Sequence, residues 1–430
     1  MKKALIISYY FPPMGISGVQ RTAKFVKYLP KYGWKPIVLT IEPHAYYAYD
    51  ETLVDDLKPL AVEVFRTSTK KVTRMNAIGK KKREAKLSSA SIERAMSMIS
   101  QVFRIPDGKI SWKKPALLMA DEIFKKHPDI KVIFSTAPPY TAHLVAEELR
   151  RKYQLPIVLD FREPWVENPS NFYLTPFHKR RQNTLEELVI RSADKIITPN
   201  REIKEIFLRK YYERLTHYDI TIIPHGFDPT DFNAMNAITR GDKKLRFVHS
   251  GIFRNQNLPK PFFRGLKYAL EKRPELKEKI EVRFVGICQK EFIKQAESFG
   301  LRDIVEVRGH KNHRETIDEN MKADVLWALL GNVPNNHAIS CGKIFEYVAC
   351  GKTLFGIMPQ GASRNFILEA NGLVASPDNI EEIGQKILEI AALWEKNQLP
   401  VPAPDVVEKY NREVLTGMLA KEFEEQVSLD

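Results

Sequence analysis

The chain has 430 residues, which is too many for one ordinary core and suits two domains of about 200 residues each. With 43% hydrophobic and 28% charged residues it is globular, not disordered or fibrous. The formal charge is +14, yet fourteen Lys and Arg against three acids fall between Arg66 and Lys114; a nucleic-acid surface would spread its cations and interleave aromatics, so the pattern points to one local anionic partner.

The chain opens on KALIISYY, read as a first strand because Pro12 and Pro13 close the apolar run and no small-residue cleavage site follows. A Gly/Pro loop leads to a helix over Val19–Leu29, where Val19, Ala23, Val26 and Leu29 recur at helical spacing. WKPIVLT is the second strand, and residues 66–114 form a basic insertion. There Ile92, Met96, Ile99 and Phe103 share a helical face beside Lys80, Lys81, Lys82 and Arg83, a pattern suited to anionic lipid. Next come VIFSTAPP, a helix near Tyr140–Tyr153, LPIVLDF, a helix near Phe177–Ser192 and KIITPN.

The stretch IIPHGFDPTDFNAMNAITRGDKK lacks periodicity and marks a hinge. The same grammar then restarts with LRFVHSG, a helix Pro261–Lys272, KIEVRFVG, a helix Gln289–Phe299 and IVEVRG. A helix Glu315–Met321, ADVLWALL, the helix CGKIFEYVACG and KTLFGIM follow, and one last helix spans Pro404–Gln426. Short β-branched runs each followed by a helix are βαβ units. The expected fold class is therefore α/β, two Rossmann-like doubly wound parallel-sheet domains facing a central cleft. The expected boundaries are 1–230, 231–403 and a C-terminal helix, 404–430, packing across the domain boundary.

Cys288, Cys341 and Cys350 are scattered without metal-ligand spacing, so a reducing, cytoplasmic setting is expected, with no disulfide framework and no zinc. No stretch nears the roughly 20 apolar residues of a membrane span.

Several residues point to chemistry. Gly15 and Gly18 follow the first strand and precede a helix N-terminus, a place suited to phosphate or to an ordinary strand–helix turn. In NHAISCGKIFEYVACGK, Ser340 is a candidate N-cap and Gly342 keeps the first turn uncluttered. Lys343 and Glu346 lie on neighbouring helix faces, either as a mutual pair or with Glu346 accepting from ribose hydroxyls. DFREPW crowds Asp160, Arg162 and Glu163 beside Trp165 at a strand end, an unusual way to build core, so it is read as active-site lining. His143 is read as structural, Asn200 as able to reach the cleft, and His225 as hinge.

From YYFPPMGISGVQR through DFREPW, IPHGFDPTDF, HSGIFR and GKIFEYVACGK, the chain resembles a GT-B glycosyltransferase of the retaining class called family 4. The resemblance implies a hexosyl-type transfer from a nucleoside diphosphate sugar, without a metal or other cofactor. The donor would be held by the C-terminal domain and a glycan or lipid-linked acceptor by the N-terminal one. Glu346 matches the second of a glutamate pair eight positions apart and is implied to grip the ribose, while Ala338 stands where the first would be. Arg254 and Lys260 keep the family's Arg–Lys spacing for the diphosphate, and Gly309 and His310 fall where relatives cradle the base. Arg162 replaces the histidine many relatives place near the reacting sugar. The alternatives are a nucleotide-sugar epimerase of the same fold and a non-catalytic nucleotide-sugar-binding protein. No nucleic-acid partner is expected, and a peripheral position on the inner face of the plasma membrane is.

Overall fold

The computed structural model describes residues 1–15, 17–43, 49–68, 105–169, 171, 173, 175–232, 243–251, 253, 258–286 and 290–428. The expected lipid-facing helix with its cluster at Lys80–Arg83, and Cys288, lie outside them. The chain divides into two units, Met1–Pro224 with Thr416–Asp430, and His225–Leu415.

Unit 1 is built on β1 (Lys2–Ile7), β2 (Trp34–Ile41), β3 (Glu63–Thr67), β4 (Ile130–Ala137), β5 (Ile157–Phe161), β6 (Lys195–Thr198) and β7 (Ile220–Ile222). All pair in parallel, in the order β3-β2-β1-β4-β5-β6-β7. The strand order therefore reverses between β1 and β4. Unit 2 holds β8 (Leu245–Ser250), β9 (Ile280–Val285), β10 (Val305–Gly309), β11 (Val325–Leu329), β12 (Thr353–Ile357) and β13 (Leu373–Ala375). These too are parallel, in the order β10-β9-β8-β11-β12-β13, with the reversal between β8 and β11.

Both faces of each sheet must be covered when parallel strands are joined by helices, which is why the strands read as continuous apolar runs. Unit 2 shows the result directly. Phe247, Phe284 and Trp327 turn to one face and meet the helix Lys260–Lys272, where Phe262 stacks on Trp327 with centroids 4.0 Å apart. Their strand neighbours Val248, Val285 and Leu326 turn to the other face, beneath Ile344, Tyr347 and Val348 of the helix Lys343–Ala349.

The expected single C-terminal helix is instead two, Pro404–Lys409 and Arg412–Ser428. The break has a cause in the backbone: the Tyr410 carbonyl accepts from Phe227 N–H at 3.0 Å, and Arg412 N–H donates to the Phe227 carbonyl at 2.9 Å. Those two bonds replace the helical ladder. From Thr416 onward the second helix belongs to unit 1. There Phe423 is fully buried, its ring 5.2 Å from Trp34 and 5.8 Å from Phe134. Thr221 Oγ1 and Lys195 Nζ both reach Glu422, at 2.7 and 2.9 Å.

Because Phe423 fills the space between a β2 and a β4 aromatic, Phe423→Ala should destabilise unit 1 by about 3–5 kcal/mol. Urea unfolding followed by far-UV circular dichroism checks this. A midpoint unchanged from the parent would mean that the helix is dispensable to that core.

Candidate functional site

In unit 1 the residues flagged by the sequence gather where β1, β4 and β5 end. Asp160, at the end of β5, is fully buried and fully engaged. Arg21, on the helix Ser17–Tyr28, is equally buried and donates from Nη2 to Asp160 Oδ1 at 2.8 Å and from Nε to Oδ2 at 3.0 Å. Thr136 Oγ1 adds a third bond to Oδ2 at 2.7 Å. The remaining guanidinium donors satisfy the carbonyls of Ile223 and Pro224, at 2.9 and 2.7 Å. Burial raises the Asp160 pKa, but Arg21, Thr136 and Arg162 outweigh it and hold the carboxyl below the usual range. This carboxylate is a structural anion that fixes the N-terminal helix to the sheet, not a lining group.

Trp165 is likewise core, stacked on Tyr140 at 4.6 Å with Nε1 donating to Gln182 Oε1 at 2.9 Å. DFREPW thus does build core, and only part of it lines a surface. Arg162 is the half-buried exception. Its Nε donates to the Ala137 carbonyl at 3.1 Å and its Nη2 to the Pro138 carbonyl, both at the end of β4. Its guanidinium lies against Gly18, where an added Cβ would sit 2.0 Å from Nη1. A side chain at Gly18 would have to displace the end of this arginine from the place it occupies. Gly15 answers to a different neighbour, since a Cβ there would meet Asp50 Cβ at 2.7 Å.

His143 is buried beside Phe161, with Nδ1 2.9 Å from Ser135 Oγ. Burial lowers its pKa to about 3, so it is neutral and structural. Asn200 does not reach outward: its side chain accepts from Ile203 N–H at 2.8 Å and caps the helix Arg201–Lys210.

Unit 2 presents a denser arrangement at the ends of β8, β9 and β10. Gly251 follows β8 with φ +119° and Gly286 follows β9 with φ +132°, conformations that L side chains rarely adopt. They are also tightly stacked, since a Cβ on Gly286 would lie 2.1 Å from the Gly251 carbonyl oxygen. Gly251 N–H donates to Val285 and Gly286 N–H to Gly309, each at 2.8 Å, stepping across the three strand ends. His310, next in the chain, is exposed.

Lys343 and Glu346 meet this floor from the helix Lys343–Ala349. Lys343 Nζ approaches within 2.9 Å of where a Gly251 Cβ would stand and lies 3.0 Å from His249 Nε2. His249 Nδ1 is 3.0 Å from the Trp327 carbonyl, to which it can only donate. The imidazole is thus the neutral tautomer with Nε2 as acceptor, and burial together with Lys343 keeps its pKa well below the usual histidine value. Burial likewise holds Lys343 below the ordinary lysine range, against the pull of Cys341 and Glu346.

Glu346 does not pair with Lys343. Its Oε1 takes His313 Nε2 at 3.0 Å, and although burial works to raise its pKa, His313, Arg412 and Lys343 together lower it. Tyr347, one residue on, accepts the Ser250 N–H at 2.9 Å and ties the helix to the end of β8.

One expectation changes here. Gly342, not Ser340, is the N-cap residue, and no side chain caps the helix; the hydroxyl that serves the incoming loop is Ser363, which accepts from Cys341 N–H at 2.9 Å. Lys260 is exposed at the first position of the helix Lys260–Lys272. Arg254 lies outside the described residues.

Residues 83–231 match the family described as Glycosyltransferase Family 4. No curated protein matches the chain in sequence. Among solved structures, HepE of Anabaena in complex with UDP and glucose superposes with a TM-score of 0.64 at 14% identity, over 99% of this chain and 100% of its own. Sucrose-phosphate synthase of Thermosynechococcus elongatus gives 0.65 at 13% identity, over all of both chains. A putative UDP-N-acetylglucosamine 2-epimerase of Listeria monocytogenes gives 0.58 at 12% identity, over 98% and 97%. The chain has the GT-B fold, and its residues 83–231 carry the family 4 signature.

Within this GT-B chain the sequence missed His249, His313 and Arg21. For His249 a signal was present, a histidine inside the apolar strand LRFVHSG; Arg21 gave none, since it falls two residues from both Val19 and Ala23 and so off the apolar stripe of the first helix.

The Arg21–Asp160 pair generates a clear expectation. Arg21→Met leaves a buried carboxylate uncompensated and should cost about 3–5 kcal/mol. Since the folded pKa of Asp160 is depressed, the pair's stabilisation is present at neutral pH and lost as pH falls below about 4. Urea denaturation of parent and variant from neutral to acid pH checks both points. Equal stability at neutral pH would return Asp160 to the list of reacting groups.

Proposed function

We propose that the chain is a glycosyltransferase of family 4 type that draws its sugar from a nucleoside diphosphate sugar and transfers it with retention of configuration. The GT-B fold and the family 4 match support a transferase of this broad kind. The observation that carries the finer reading is the cation Lys343, half-buried against a neutral imidazole beside the Gly251 and Gly286 backbone turns.

A lysine whose neighbour is a neutral acceptor lacks the compensating charge that burial normally demands. A diphosphate seated on the glycine turns would supply it. As the glycosidic bond breaks the diphosphate gains negative charge, and a pre-positioned cation stabilises that charge without reorganising. Arg254 and Lys260, by their family spacing, would complete the neutralisation, so that protein cations take the part a metal plays elsewhere. Glu346, held by His313 through one oxygen, keeps lone pairs for ribose hydroxyls. Ser340 and Gly342 lead into this helix, and Gly309 and His310 would meet the base at the end of β10. In unit 1, Arg162 against Gly18 would line the place of the acceptor, a glycan or a lipid-linked precursor.

HepE has been solved with UDP and glucose, so uridine diphosphate sugars are the first donors to try, followed by guanosine and adenosine ones. Thermal stabilisation by a donor, followed by release of nucleoside diphosphate and a glycosylated product with candidate acceptors, tests the proposal. Conversion of the donor to its epimer without acceptor would favour the epimerase reading, to which the Listeria structure gives weight. Saturable binding without product would mark a binding protein.

Two substitutions give sharper outcomes. Glu346→Ala should leave the fold intact and weaken nucleoside diphosphate binding about ten- to a hundredfold, as for loss of a hydrogen bond to a charged group. Calorimetric titration with unchanged affinity would remove the ribose assignment.

The second uses pH. Deprotonation of Lys343 below the ordinary lysine range near about 10.4 should weaken diphosphate binding as pH rises towards that value. Lys343→Met should bind weakly at neutral pH and show no such alkaline step, while the bare nucleoside follows neither change. An alkaline step that survives in the variant would assign it to another group.

A further inference from the structure

The helix Pro176–Ser192 presents an outer face that its own fold leaves uncovered. Phe177 is 77% exposed and Leu188 44% exposed. Positions 177, 181, 184 and 188 share one stripe of the helix, with Arg181 on it and Arg180 beside it, both exposed; Lys179 is exposed in the same first turn but off the stripe. The helix's own acids are used elsewhere: Glu186 receives Lys210 and Tyr211, and Glu187 receives Arg191. Among the described residues none of Lys179, Arg180 and Arg181 has an acidic partner.

The opposite face is rigidly held. His178, Gln182, Glu186, Val189 and Ile190 are buried. Thr175 Oγ1 caps the first turn by accepting from His178 N–H at 3.1 Å, and Glu186 Oε2 accepts from Val166 N–H at 2.7 Å. Gln182 Nε2 donates to the Pro106 carbonyl at 2.8 Å, so the strongly basic stretch of the sequence rejoins the described chain directly beside this helix. An exposed aromatic at the start of a fixed helix, beside Arg180 and Arg181 without acidic partners among the described residues, has no role in the core beneath it.

We propose that this face, Phe177 and Leu188 flanked by Arg180 and Arg181 and supported by Lys179 of the same first turn, docks the protein onto an anionic lipid bilayer. The chemistry is complementary on both counts. The two apolar side chains enter the boundary between headgroups and acyl chains, while the long cationic side chains stay at the phosphate level. No described helix is long and apolar enough to cross a membrane, so the contact is one made on the surface. The helix begins where the loop after β5 ends, at the edge of unit 1 that carries Arg162 and Gly18. A lipid-borne acceptor would reach that edge without leaving the bilayer, a consequence that rests on the glycosyltransferase reading; the docking itself does not.

The test uses the full chain and vesicles of phosphatidylcholine alone or of equimolar phosphatidylcholine and phosphatidylglycerol. The chain should co-sediment with the anionic vesicles at low salt and be released by high salt, and should ignore the neutral ones. Replacing Lys179, Arg180 and Arg181 together by Ser removes three surface cations and should cut the partition coefficient by about a hundredfold. Phe177→Trp should show a blue-shifted emission increment on anionic vesicles that brominated lipid quenches. All these side chains are exposed, so unchanged circular dichroism and melting confirm that the variants fold. The proposal is overturned if the intact chain fails to bind, if the triple variant binds as the parent does, or if the added emission of the Phe177→Trp variant stays that of an indole in water. Binding that is undiminished by high salt, or equal on neutral vesicles, overturns it as well. None of these readouts depends on catalysis, so failure here leaves the proposed function standing and the reverse is equally true.

Discussion

Parallel pairing constrains everything else in this molecule. A parallel strand needs a crossover helix, the helices cover both sheet faces, and the strands between them can be polar only at their ends. Polar chemistry is thereby driven to the carboxyl edge, and most easily to the crevice where neighbouring crossovers diverge. Unit 1 reverses its strand order between β1 and β4, and Gly18, Arg162 and the Ala137 and Pro138 carbonyls meet beside that point. Unit 2 reverses between β8 and β11, and His249 there bridges the two strands by bonding the Trp327 carbonyl while meeting Lys343. The two clusters are unrelated in composition and alike in position.

The same constraint explains why two sequestered cations behave differently. Arg21 is fully buried with one hydroxyl-supported carboxylate and two backbone carbonyls around it, so its charge is neutralised and its donors are used. Such a set rewards geometry and leaves nothing for a ligand. Lys343 has a neutral imidazole as its near partner, and its tautomer is enforced by a backbone carbonyl on the far side. Charge that the fold does not compensate is charge a ligand can compensate. That difference, and not proximity to a motif, distinguishes a structural cation from a binding one.

The sheet architecture was legible because its strands are apolar runs of the right length separated by amphipathic helices, and most helices fall within a residue or two of the expected bounds. β3, β7 and β13 were not legible: ITI and LVA are too short to show a period, EVFRT runs into the start of the basic stretch at Arg66, and pairing with an already formed neighbour decides all three. The kink at Tyr410–Asn411 was invisible because it depends on Phe227, far away in sequence. Of the candidate residues, Glu346, Lys343, Gly18 and Arg162 meet neighbours the motifs had not named. Asp160 was misread because a carboxylate at a strand end looks the same in sequence whether it faces a ligand or a buried arginine. Only the placement of Arg21 on the inner face of the first helix separates the two, and that is a tertiary fact.

The position of Ala338 gives the altered family pattern a physical meaning. The residue is 1% exposed, within the short turn Asn336–Ala338, whose Asn336 side chain is itself buried and donates to the Gly331 carbonyl at 2.6 Å. The His337 backbone passes so close to Gly361 that a Cβ on that glycine would lie 2.3 Å from the His337 carbonyl oxygen. A carboxylate at 338 would therefore have to be buried against a tightly packed turn, and nothing cationic has been placed to receive it among the described neighbours in that turn. The exposed polar groups of the segment are instead Asn332, Asn335 and His337, amide and imidazole side chains in place of an acid. On the proposed reading the ends of β8, β9 and β10, with Lys343 and Glu346, would hold the nucleotide, while the loop after β11 lacks the acid that the family pattern places there. Recognition of the transferred sugar would then rest on amide and imidazole groups, which read hydroxyl positions as both donors and acceptors, where a carboxylate reads them only as donors.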